Sequence, residues 1–316
     1  MYRHSCFSLY LYLLKLDCQY MHRSGFVNII GRPNAGKSTL MNALVGERMS
    51  IITAKPQTTR HRIIGLLSGD DFQIVFSDTP GVIKDPAYKM QEAMNRMVDS
   101  TFEDADIMLF VVGADESYED DDPIIEQLRK TKAPIFLVLN KIDLSDQATI
   151  VEQITTWQER LTLAQVFPIS ALHQQGTQGL LQTIIKTLPE GPAYYPKDQL
   201  TDRPERFFVS EIIREKILDN YHQEIPYSVE VGVESFKETQ TKKGEDLIRI
   251  RAEIYVMRPT QKSIIIGKGG SSIKQLGTDA RKALEIFLQS KVFLDLHVKV
   301  RDNWRDDEQW LKRFGY

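Results

Sequence analysis

Cysteine is scarce. The chain has 316 residues and only two cysteines, Cys6 and Cys18, both in the first twenty positions. A disulfide scaffold or a cysteine-ligated zinc site is therefore excluded from the rest of the chain. The six histidines show no H-E-x-x-H spacing, which removes the metalloprotease helix from consideration. No apolar run is long enough to cross a bilayer. Phe7 to Leu16 is apolar and aromatic, but it is short and interrupted by Lys15. No small-residue cleavage site follows it, so it does not read as a signal peptide. Residues 1–20 are expected to be an unstructured or artefactual leader, with Met21 as the functional start. Internal repeats and low-complexity tracts are also missing.

What is present is an ordinary globular composition. Hydrophobic residues make up 42% and charged residues 26%, enough for about two domains with proper cores. The net charge is only −3, but it is unevenly spread. Residues 203–316 hold 21 Lys+Arg and 18 Asp+Glu, leaving 19 and 25 in residues 1–202. A mildly basic C-terminal part points weakly to an anionic partner there.

The most informative stretch is Gly31-Arg32-Pro33-Asn34-Ala35-Gly36-Lys37-Ser38. It fits G-x-x-x-x-G-K-[ST], the phosphate-binding loop. A strand-like run, Phe26–Ile30, precedes it, and a helical run begins at Lys37 and Thr39. Glycines let successive N–H groups wrap a polyphosphate, and the helix N-terminus adds its positive dipole end. Lys37 should reach the β- and γ-phosphates, and Ser38 should ligate magnesium.

From Gly25 to Leu188, strand-like runs alternate with helical patterns. The expected fold is α/β, a mostly parallel sheet covered on both faces, with ligands at the C-terminal strand ends. Three further segments fall at such ends. Asp78-Thr79-Pro80-Gly81 offers a magnesium-binding acid and a backbone N–H for a γ-phosphate. In Asn140-Lys141-Ile142-Asp143, Asp143 can accept two hydrogen bonds from the N1–H and N2–H₂ edge of guanine. Adenine lacks that donor pair, so the buried polar groups of such a site reject it. The backbone of Ser170-Ala171-Leu172 can meet the guanine O6. Between the loop and Asp78 lies Gln57-Thr58-Thr59-Arg60, where a threonine can bind magnesium.

These segments, in this order, resemble the motifs of the translation-factor-related GTPases. That resemblance implies GTP and GDP as ligands and Mg²⁺ held by Ser38, Thr59 and Asp78. Lys37, Thr59 and Gly81 are the expected catalytic groups. Small signalling GTPases place a water-positioning glutamine where this chain has Val82. Valine cannot orient water, so slow intrinsic hydrolysis or another source of charge is expected. Asn34 and the Thr58-Thr59 pair resemble a GTPase subgroup that uses a potassium ion at the β–γ bridge.

Prolines 189, 192, 196 and 204 break the pattern, and a linker is expected at 189–204. It separates a GTPase unit over 21–188 from a smaller α+β unit over 205–316. In that unit, Gly267-Lys268-Gly269-Gly270 lies between two helical runs. The order helix–strand–strand–helix–loop–helix–strand is that of a type II KH domain, whose G-x-x-G loop clamps about four nucleotides. Six basic residues against one acid lie between Arg258 and Lys282. The expected RNA-binding set is Arg258, Lys262, Ile266, Gly267, Lys268, Gly269, Gly270, Ser271, Lys274 and Arg281. Trp304 and Trp310 are expected to pack rather than to stack on bases.

One GTPase unit, a linker and one type II KH domain together resemble the Era family of ribosome-assembly GTPases. Gln57-Thr58-Thr59-Arg60-His61-Arg62, Ser210-Glu211-Ile212-Ile213-Arg214-Glu215-Lys216 and Pro226-Tyr227-Ser228-Val229 carry the likeness. The resemblance covers residues 22–316. It implies binding to small-subunit ribosomal RNA near its 3′ end and a role in assembly of the small ribosomal subunit. It also implies a cytoplasmic monomer in peripheral contact with the inner membrane. A membrane-associated signalling GTPase whose KH-like domain binds protein is the alternative.

Overall fold

The computed structural model describes residues 22–53 and 55–316. The expected leader and the start at Met21 lie outside the described residues. Six strands form the first sheet: β1 (Arg23–Ile30), β2 (Ile63–Ser68), β3 (Phe72–Asp78), β4 (Ile107–Gly113), β5 (Ile135–Asn140) and β6 (Gln165–Pro168). Their spatial order is β2-β3-β1-β4-β5-β6, with β2 antiparallel to β3 and every other pair parallel. Helices α1 (Lys37–Val45), α2 (Lys89–Glu103), α3 (Pro123–Lys130), α4 (Gln147–Arg160) and α5 (Thr177–Thr187) complete the unit. Strands β4 and β5 are buried at every position, as a sheet covered on both faces requires. Two apolar clusters result. One gathers Val27, Leu40, Met41 and Phe76, the other Phe110, Leu137 and Trp157.

The order of strands reverses at β1, so a crevice opens above the C-terminal ends of β1 and its neighbours. The phosphate loop, Asp78 and Asn140 all stand at those ends.

The segment 189–204 is not a free tether. Ser24 N donates to Pro189 O at 3.1 Å, and Leu66 N to Leu200 O at 2.8 Å. The fully buried Gln73 accepts from the N–H groups of Tyr194 (2.7 Å) and Tyr195 (2.9 Å) and donates to Tyr195 O (2.8 Å). One amide thereby satisfies three backbone groups of the strap. Each such bond contributes about 1 kcal/mol net.

The second unit holds α6 (Glu205–Asn220), β7 (Glu230–Gln240), β8 (Asp246–Val256), α7 (Pro259–Ile266), α8 (Ser271–Leu288), β9 (Lys291–Val300) and α9 (Glu308–Phe314). The sheet order is β7-β8-β9, with β7 antiparallel and β9 parallel to β8. Helices α6 and α8 cover one face through Ile213, Ile217, Leu276 and Leu284. Helix α9 is an addition to the expected elements. It is two turns long, capped by Asp307, which accepts from the Gln309 and Trp310 N–H groups. So short a helix forms only through tertiary packing, supplied by Trp304, Leu311, Met90 and Met94 in one buried cluster. Trp304 is fully buried and donates to Ser228 O, so it packs as expected.

Candidate functional site

A cavity of about 540 Å³ opens over α1. Its lining includes Asn34, Gly36, Lys37, Ser38, Thr39, Thr59, Gly81, Asn140, Lys141, Asp143, Ser170 and Leu172. Segments more than a hundred residues apart in sequence thus share one wall. The α1 N-cap is Gly36, at φ 96°, and it offers no side-chain cap. A Cβ there would lie 2.1 Å from the Asn140 amide nitrogen, so only glycine fits. The helix N–H groups are left facing the cavity.

Lys37 is nearly fully buried. Its Nζ donates to Gly31 O at 3.0 Å and Arg32 O at 2.8 Å. Burial pushes its pKa down, opposed by the carboxylates of Asp78 and Glu116. Asp78 is also fully buried, and burial pushes its carboxyl up against the pull of Lys37. Ser38 Oγ donates to Asp78 Oδ2 at 2.7 Å and lies 2.9 Å from Thr59 Oγ1. Thr59 Oγ1 lies 3.4 Å from the same carboxylate oxygen. Asp78 Oδ1 has no hydrogen-bond partner among the described residues. Two hydroxyls around one buried, half-satisfied carboxylate fit a hard divalent cation. Thr58 instead faces Lys55 O and Thr53 Oγ1, so the two adjacent threonines divide their work.

Asn140 ties the site together. Its Nδ2 donates to Ala35 O at 2.9 Å, and its Oδ1 accepts from Ala171 N at 2.9 Å. The phosphate loop and the Ser170-Ala171-Leu172 segment are held by one amide. Asp143 is exposed, and a hydrogen bond from Ser170 holds its carboxyl below the usual range.

Not every expected residue faces the cavity. Arg32 turns outward, onto Asp122 (2.5 Å), Ser117 O (2.6 Å) and the Tyr118 ring. Thr79 Oγ1 donates to Ile29 O. Ala35, Pro80 and Ala171 are buried, Val82 packs into the apolar cluster of β4 and α3, and Ile142 lies in a short 3₁₀ turn. Sequence reading missed Ile51, Ile52, Gln57 and Leu144 on the cavity wall. For Ile52 and Leu144 the one signal is a large apolar side chain left exposed, and that appears only in the fold.

The segment around Thr59 also meets the second unit. Arg60 is fully buried and donates to Val229 O (2.7 Å), Glu230 (3.2 Å) and Pro226 O (3.0 Å). Arg214 donates to Thr58 O, and Lys55 to Leu218 O and Tyr221 O.

In that unit, Gly267, Gly269 and Gly270 all have φ between 60° and 78°. A Cβ at Gly267 would lie 2.2 Å from Ser272 Oγ. Lys268 and Gly269 are exposed, and Gly270 is the α8 N-cap. Arg258, Ser271 and Lys274 are exposed nearby, Lys262 and Ile266 half-buried, and Arg281 pairs with Glu285 at 2.8 Å. The exposed Ile264 of α7 is an addition to this set.

Residues 26–141 match the family model described as 50S ribosome-binding GTPase, and residues 224–305 that of the KH domain. The chain is 47% identical over 300 residues to GTPase Era of Syntrophus aciditrophicus, covering 95% of this chain and 97% of that one. It is 48% identical over 298 residues to the chloroplastic GTPase ERA-like protein of Oryza sativa subsp. japonica, covering 93% of this chain and 70% of the relative. A crystal structure of Era with MgGDPNP and nucleotides 1506–1542 of 16S ribosomal RNA superposes with TM-score 0.88. It is 36% identical and covers 93% of this chain and 99% of its own. An Aquifex aeolicus Era variant bound to GDP·AlF4⁻ gives TM-score 0.87 at 36% identity, again covering 93% and 99%. The chain belongs to the Era family of GTPases.

Proposed function

We propose that this chain is a GTP-binding and GTP-hydrolysing switch that binds small-subunit ribosomal RNA near its 3′ end and assists small-subunit assembly. The observation that carries the reading is the pair of sites in one chain: a phosphate loop closed over Lys37, and a G-x-x-G loop ahead of an uncapped helix. The related Era structure holds a GTP analogue with magnesium and a 16S RNA fragment, which matches both.

In this reading, residues 21–188 form the GTPase unit, 189–204 the linker and 205–316 the RNA-binding unit. The α1 N–H groups and Lys37 hold the polyphosphate. Ser38, Thr59 and Asp78 would hold Mg²⁺, which would supply positive charge against the phosphates when bound. Asp143 selects guanine. Gly81 N–H meets the γ-phosphate, and loss of that group frees the segment around Thr59. Because Thr58 and Arg60 are bonded to the second unit, such a release reaches the RNA site directly. Cytoplasmic location, peripheral membrane contact and a monomeric state complete the reading by family resemblance. No helix among the described residues is long and apolar enough to cross a membrane.

The test is RNA affinity measured with the GTP-analogue and GDP forms in magnesium. A clear difference is expected, and equal affinities would refute the switch. Lys37→Ala should abolish GTP binding, read by calorimetry.

A further inference from the structure

The outer face of the β7-β8-β9 sheet carries nothing of the function described so far. Lys237 stands opposite Arg249 on β8, and Arg249 opposite Phe293 on β9, so the three form one rung across the sheet. All three are exposed, Phe293 at 51%. The Arg249 guanidinium carbon lies 5.0 Å from the Phe293 ring centroid. Adjoining rungs on the same face add Arg251 and Lys291. Lys291 pairs with Glu245, and Asp295 with His297. Lys237, Arg249 and Arg251 enter no ion pair among the described residues.

This rung is joined to the G-x-x-G side of the unit. Lys274 and Arg281 are seven positions apart, so they share one face of α8. Between them, Gly277 would place a Cβ 3.7 Å from Leu296 of β9, so the stripe runs beside that edge strand. At the far end of α8 a groove of about 660 Å³ is lined by Arg281, Glu285, Lys291 and Phe293, among others. Helix α8 has 18 residues and is therefore about 27 Å long. A strand clamped at Gly267–Gly270 and running along α8 arrives at this groove.

We propose that Phe293, Arg249 and Lys237 form a second contact for single-stranded RNA, beyond the G-x-x-G clamp. The proposal rests on the RNA-binding reading above. An exposed aromatic ring beside Lys237 and Arg249, neither of them in an ion pair among the described residues, is a stacking platform with an electrostatic track. A protein partner fits less well, since the cores of protein interfaces are depleted in lysine.

The experiment uses the full chain with a GTP analogue and magnesium. Two labelled RNAs from the 3′ end of the small-subunit rRNA are titrated, one of about four nucleotides and one of about twelve. Phe293→Ala should weaken the long RNA about five- to hundredfold and leave the short one unchanged. Arg249→Gln, also at an exposed position, should lower the salt slope for the long RNA by about 0.7. Gly270→Asp should weaken both RNAs. If both sheet variants bind the long RNA as the parent does, the second surface is refuted while the clamp stands. If the parent chain binds neither RNA, the RNA-binding reading fails first.

Discussion

The Tyr221 hydroxyl donates to the carbonyl of Ile265 at 2.9 Å, while the carbonyl of Tyr221 accepts from Lys55. Lys55 belongs to the segment that leads to Thr59. Ile265 lies two positions before Gly267 of the G-x-x-G loop. One residue at the end of α6 therefore touches both the segment leading to Thr59 and the helix ahead of the G-x-x-G loop.

Tyr221→Phe keeps the ring and removes that hydroxyl. Stability should fall by about 1 kcal/mol. If Tyr221 carries the coupling, the ratio of RNA affinities in the GTP-analogue and GDP forms should also shrink. Filter binding in the two nucleotide states checks it, and an unchanged ratio would remove Tyr221 from the path.

Asp143→Asn replaces a double acceptor with a group that is half donor. Guanine then meets a donor where it offers its own N–H groups, so GTP should weaken while selectivity against ATP falls. A loss on the order of 2–4 kcal/mol is expected, roughly a 30- to 900-fold change in Kd. Competition titrations with GTP and ATP measure it.

Val82 lies against the apolar cluster of β4 and α3 and has no group to orient water. With Asn34 and Thr58 on the cavity wall, we expect hydrolysis to be faster in potassium than in sodium buffer at equal ionic strength. Phosphate release in the two buffers decides it, and equal rates would exclude a potassium role.

Glu211 and Arg214 form a buried bidentate pair, at 2.8 and 2.6 Å. Burial alone would raise the Glu211 carboxyl, but the Arg214 guanidinium outweighs it and holds the group below its ordinary range. A depressed carboxyl stabilises the fold above the unfolded value of about 4.3, and the contribution is lost as pH falls through the folded value. Glu211→Gln leaves Arg214 buried without its anion. It should cost about 3–5 kcal/mol near neutral pH and flatten the acid limb of a urea-unfolding series.

The wall of the candidate nucleotide cavity was largely legible because the phosphate-loop pattern is local. A phosphate loop is built from contiguous backbone, so Gly36, Lys37 and Ser38 announce it by spacing alone. Asn140 was legible as part of a motif, but its task of bridging Ala35 and Ala171 was not, since that depends on two distant loops meeting. Arg60, Glu211 and Arg214 read as solvated surface charges in any local window. They are buried because one unit closes over the other, a long-range event that no periodicity records. Arg32 shows the converse, a motif residue whose side chain serves the neighbouring loop.

The strap held by Gln73 sets the scale of any movement between the two units. Beyond Leu200, four residues separate the last pinned carbonyl from α6, and a stretch of that length reaches at most about 14 Å. The interface around Arg60 can then break and reform without the partners drifting apart. On so short a leash their local concentration stays on the order of millimolar, so contacts too weak to hold free molecules together suffice here.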